Sequence, residues 1–91
     1  VELQLFVSHG FLPCRDAERI WREVSHERDI RLTVVDIDSP AGRDVAARIP
    51  VTVVPAIAAA GRLLAVGVQT LQEARDLVAA MGNTNVGTDV V

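Results

Sequence analysis

One sulfur, two imidazoles and two neighbouring carboxylates are the side chains best suited to chemistry: Cys14, His9, His26, Asp36 and Asp38. Cys14 follows Pro13 in Gly10-Phe11-Leu12-Pro13-Cys14, where a helical pattern opens. The unpaired N–H groups at a helix start favour a thiolate. His9, five residues earlier on the same segment, could accept the thiol proton if the loop folds over. A second reading competes. Cys14 also begins the apolar stripe Cys14, Ala17, Ile20, Trp21 and Val24, and a free cysteine is commonly a small buried hydrophobe. Cys14, His9 and His26 lack the paired spacings of a zinc site, so neither a metal nor a cofactor is expected. His26 falls near the end of the same helical pattern and reads as a solvated residue whose charge complements the helix dipole. Asp36 and Asp38 close a strand ahead of a capped helix and read as turn-forming carboxylates, with no second acidic pair beside them. The isolated Gly42 and Gly67 make no phosphate loop.

The elements that must position these residues follow from periodicity. Leu3, Leu5 and Val7 alternate with Glu2, Gln4 and Phe6, a strand reaching Ser8. After the Gly10 and Pro13 break comes the first helix, with Pro13 in a first turn that does not need its missing N–H. Residues 30–37 form a second strand. Ser39-Pro40 announces a second helix, with Ser39 as cap, an apolar stripe of Val45, Ala46 and Ile49, and Pro50 as stop. Residues 56–68 read as a hairpin turning at Ala60-Gly61-Arg62, and Pro55, barred from the middle of a ladder, belongs at a strand's start. Thr70 and Glu73 form a capping box for a third helix, whose apolar face is Leu71, Ala74, Leu77, Val78 and Met81 and whose left-handed stop is Gly82. The resulting order is β-α-β-α-β-β-α. It predicts an α/β sandwich of three layers around a mixed four-stranded sheet, one domain over residues 1–82 and a loose tail over 83–91.

Composition narrows the class. With 91 residues there is room for one core, and 49% apolar against 23% charged residues, at net charge −3, excludes a disordered chain. The nine basic residues are all arginine, outnumbered by twelve acids and scattered, so no nucleic-acid partner is expected. No apolar run approaches the roughly 20 residues that span a bilayer, so no membrane partner is expected either. A single cysteine and the absence of a visible secretory signal make the cytoplasm the expected compartment.

This layout, with Pro13-Cys14 at the first helix start and Val51-Thr52-Val53-Val54-Pro55-Ala56 ahead of a Gly61 hairpin, resembles the thioredoxin-like proteins of glutaredoxin size over about residues 2–82. The resemblance implies a thioredoxin-like fold with Pro55 in a cis peptide bond. It also implies a backbone edge at Val54 that faces the Cys14 loop and can pair with an extended partner. The departure lies at the active site. The family's Cys-x-x-Cys is Phe-x-x-Cys here: Phe11 stands where the attacking cysteine belongs, Cys14 is the resolving one, and Leu5 stands where larger thioredoxins bury an acid.

A dithiol cycle needs one thiolate to attack and a second to release the mixed disulfide, so this chain cannot complete it alone. Two functions remain open. In one, Cys14 forms a mixed disulfide with a partner protein or glutathione, with His9 as an auxiliary. In the other, the chain is a redox-silent interaction module whose surface is Phe11, Leu12, Pro13, Val54 and Pro55.

Overall fold

The computed structural model describes residues 2–81. In chain order it comprises β1 (Glu2–Val7), α1 (Leu12–Arg28), β2 (Arg31–Asp36), α2 (Pro40–Arg48), β3 (Ala56–Ala59), β4 (Arg62–Val66) and α3 (Leu71–Val90, described through Met81). The expected stop at Gly82 and the expected tail over 83–91 lie outside the described residues.

A single sheet has the strand order β2-β1-β3-β4. β1 and β2 are parallel, in register from Glu2 opposite Arg31 to Val7 opposite Asp36. β3 runs antiparallel to β1, from Leu3 opposite Ala59 to Phe6 opposite Ala56, and β4 returns antiparallel to β3. The alternation seen in β1 separates two cores. Leu3, Leu5 and Val7 face Cys14, Ala17, Trp21 and Val24 of α1 and Ala74 and Val78 of α3, whereas Phe6 packs on the other side with Val35, Ala46, Ala56 and Ala58. Period-two side chains thus commit each face to its own helix layer, and the three-layer sandwich follows.

Local chemistry explains most boundaries. Ser39 accepts a hydrogen bond from Gly42 N at 3.0 Å and caps α2, with Pro40 in the first turn. At α3, Thr70 Oγ1 accepts from Glu73 N at 3.0 Å while Glu73 Oε1 accepts from Thr70 N at 2.8 Å, the reciprocal box expected there. α1 ends on Asp29 in the left-handed region (φ 54°), whose N–H bonds back to the last turn. The β3–β4 hairpin turns on Ala60 (φ 53°) and Gly61 (φ 75°), the two positive values that a two-residue turn of type I′ requires. Pro55 immediately precedes β3, and the Val54–Pro55 bond is cis, as is Ile49–Pro50.

Trp21 is completely buried, so its indole N–H needs a partner. Gln69 provides it: Nε1 donates to Gln69 Oε1 at 3.2 Å, and Gln69 Nε2 donates to the Val66 carbonyl at 3.1 Å. That relay ties α1 to the end of β4. Among the described residues, no helix is long and apolar enough to cross a membrane.

Candidate functional site around Cys14

The site begins where β1 ends. Parallel pairing continues past Val7, since Ile37 N donates to the Val7 carbonyl at 3.0 Å, and this brings residues 8–10 alongside residues 36–38. Ser8 Oγ donates to Asp38 Oδ2 at 3.0 Å and His9 N donates to the same oxygen at 3.1 Å. Asp36 Oδ1 accepts from Asp38 N at 2.9 Å and fixes the second carboxylate in place. The two acids are therefore more than turn formers, because they also hold the loop that leads to α1. The alternation of apolar residues carries no sign of this; only the register of two parallel strands creates it.

Phe11 is the N-cap of α1, in extended conformation and with no side-chain acceptor for the helix N–H groups. The turn into the helix closes through backbone: Phe11 N donates to the Ser8 carbonyl at 3.4 Å and Cys14 N donates to the Phe11 carbonyl at 3.0 Å. Leu12 opens the helix and half-buried Pro13 lies in its first turn. Cys14 points inward, 4% exposed, as part of the core beneath β1. Its Sγ accepts a hydrogen bond from Ser8 N at 3.4 Å. Burial of this kind is what the small-hydrophobe reading of Cys14 requires.

A depression of about 310 Å³ opens above the sulfur, lined in part by Ser8, His9, Phe11, Cys14, Arg15 and Asp36. The His9 imidazole is turned to Asp36. Its Nε2 lies 3.2 Å from Asp36 Oδ2, its side chain is largely exposed, and its polar contacts are to Asp36 and Asp38. Phe11 is 48% exposed and lines the same depression as Cys14. The Cys14 side chain is in the same core cluster as Leu3, Leu5 and Val7 of β1. His26 sits exposed on the last turn of α1, far along the helix from this site.

Strand register brings further segments to the same end of the sheet. Phe6 faces Ala56, Ala56 faces Val66, and Gly67 N donates to the Pro55 carbonyl at 2.8 Å, so the end of β1 and the residues just before β3 share one edge. Pro55 is fully buried and Val54 half-buried, touching both cores, so neither side chain contributes much open surface. The exposed apolar groups next to Cys14 and Val54 in the chain are Phe11, Leu12 (66% exposed) and Val53 (54% exposed). Val53 has no pattern in the sequence that separates it from its half-buried valine neighbours, Val51 and Val54. Among the described residues, no three His, Cys, Asp or Glu side chains gather as metal ligands do.

No protein-family model and no curated protein matches this chain. Among solved structures, it is similar to thioredoxin 1 from the thermophilic eubacterium Thermosipho africanus TCF52B, with a TM-score of 0.75 at 12% sequence identity, over 93% of this chain and 98% of that one. Together with the mixed four-stranded sheet and its three helices, that likeness establishes the thioredoxin-like fold.

Proposed function

We propose that this chain is a thioredoxin-fold binding module that holds an extended apolar segment of a partner protein at the Phe11–Leu12–Val53 end of the sheet. The observation that carries this reading is the division of roles at the start of α1. The sulfur is in the core, while the aromatic and aliphatic side chains next to it are the exposed ones. An exposed apolar group flanked by polar loops is suited to contact and not to nucleophilic chemistry. The Val54 backbone, ahead of a strand start, can offer main-chain hydrogen bonds to such a segment.

A displayed library of extended peptides tests it. Selected peptides should bind the Cys14→Ser variant as tightly as the native chain and bind the Leu12→Asp variant about tenfold more weakly, the scale of one lost anchor. Equal affinity for Leu12→Asp, or loss of binding in Cys14→Ser, overturns the reading.

One observation favours a second reading: Cys14 lines the depression beneath His9 and Phe11. On this reading the loop opens and the Cys14 thiolate displaces one sulfur of a protein disulfide or of oxidised glutathione. A Cys14–S–S–R bond forms, the other half leaves as a thiolate, and an external thiol reduces the product. Native-state labelling separates the two readings. Adduct formation with oxidised glutathione under folding conditions supports the thiol, and labelling confined to denaturant removes it. A Phe11→Cys variant, which restores the two-cysteine spacing, is expected to gain disulfide reductase activity. Failure of the folded variant to do so would show a site too far altered for thiol chemistry.

A further inference from the structure

The second exposed apolar region lies away from Cys14, along the outer strand. β4 is paired only with β3, and among the described residues its other side has no strand partner. Leu63 (42% exposed), Val66 (49%) and Val68 (45%) present large apolar groups on or beside it. Two depressions run between β4 and α3 and share Leu77. The one of about 470 Å³ is lined by Val66, Val68, Glu73 and Asp76, and the one of about 480 Å³ by Arg62, Leu63 and Met81, among others.

Charge is distributed along this trough by sign. Arg62 sits at one end and, among the described residues, has no ion-pair partner; Asp76 sits at the other, bonded only to the Gln72 amide. We propose that the β4–α3 edge docks a second copy of this chain, antiparallel, about a two-fold axis near Leu64. Under that symmetry Arg62 of each copy falls opposite Val66 of the other, at the end where Glu73 and Asp76 lie. A parallel arrangement would set Arg62 against Arg62, so the charges select the antiparallel one.

The same features limit the assembly to a pair. Ile57 faces Ala65 while Ala58 faces Leu63, so Leu64 is an extra residue that breaks the regular ladder. Bulges and edge charges discourage open-ended strand addition, whereas an isologous contact uses both edges at once and closes. The bond between copies is therefore side-chain packing of Leu63, Val66 and Val68 into the facing trough, with Arg62 and Asp76 setting the register.

Sedimentation of the full chain from micromolar to millimolar concentration tests this, with circular dichroism confirming that each variant is folded. A monomer–dimer equilibrium is expected, abolished by Val66→Lys. Each dimer contains the Arg62–Asp76 contact twice, so Arg62→Glu or Asp76→Arg alone should weaken it by about tenfold, and the double reversal should recover most of the loss. A chain that stays monomeric throughout, a dimer indifferent to Val66→Lys, or a double reversal no better than the singles overturns the proposal.

Discussion

At the start of α3, Thr70 and Glu73 exchange hydrogen bonds of 3.0 and 2.8 Å, and at the start of α2 Ser39 accepts from Gly42 N at 3.0 Å; at the start of α1, Phe11 holds the capping position with a side chain that accepts nothing. The far end of α1 is also secured, by Asp29 in the left-handed region and by a two-pronged Arg75–Glu27 contact of 3.0 and 2.7 Å. The start beside Cys14 lacks a side-chain cap. Caps contribute about 1 kcal/mol each, and the Ser39 hydroxyl adds to its cap by donating to the Asp36 carbonyl at 2.7 Å. The uncapped start is stabilised by burial of Cys14, Ala17, Trp21 and Val24 on the opposite face. What the contrast teaches is that the α1 start carries an exposed aromatic where the other helix starts carry an acceptor, which supports the proposed reading of Phe11 as a contact residue.

The largest test of the contrast is Gly42→Ala. A Cβ at Gly42 would overlap the Asp36 carbonyl oxygen and crowd Ser39 Oγ at 2.9 Å, so the capped turn of α2 must move. Denaturant unfolding should show a loss of about 3 kcal/mol. A loss below half a kilocalorie would mean that the α2 start is looser than its hydrogen bonds imply.

Thr70→Ala comes next, with an expected loss of about 1 kcal/mol in the same measurement. An unchanged midpoint would remove the distinction between the capped and uncapped helices. In the reverse direction, Phe11→Ser supplies the missing acceptor and should raise stability by about 0.5 kcal/mol while weakening peptide binding. Lower stability would show that the ring contributes packing that its 48% exposure conceals.

The smallest effect concerns the secured end of α1. Hydrogen bonding by the Arg75 guanidinium, aided by its charge, holds the Glu27 carboxyl below its ordinary value of 4.5. A carboxylate with a lowered folded-state pKa contributes stability that is fully present above the unfolded value and disappears as pH falls through the folded one. Both side chains are about one-third exposed, so the contribution is small. The melting temperature of the native chain should fall slightly more on acidification below 4.5 than that of Arg75→Met. Parallel curves for the two would show that the contact adds nothing.

Much of the architecture was legible because the signals are local. The alternation of β1, the stripe of α1, the Ser39 and Thr70 caps and the Gly61 turn each depend on residues a few positions apart, and all appear where the spacing places them. The site was less legible. Asp36 and Asp38 reach Ser8 and His9 across about thirty residues of chain, and Gln69 reaches Trp21 across nearly fifty. Such pairs depend on strand register and helix docking, which no short window of sequence contains. Val53, Val54 and Pro55 are three neighbours of similar composition, yet one is exposed, one half-buried and one fully buried.

By itself, the sequence determined the order of the elements, the chemistry of two helix starts, and the fact that one sulfur cannot complete a dithiol cycle. Tertiary structure alone decided that Cys14 lies in the core, that His9 turns toward Asp36, and that Phe11 and Leu12 remain in solvent. The physical reason is one of range. Periodicity and capping act within a helical turn or a strand pair, whereas burial and the meeting of distant polar groups are set by which faces the sheet brings together.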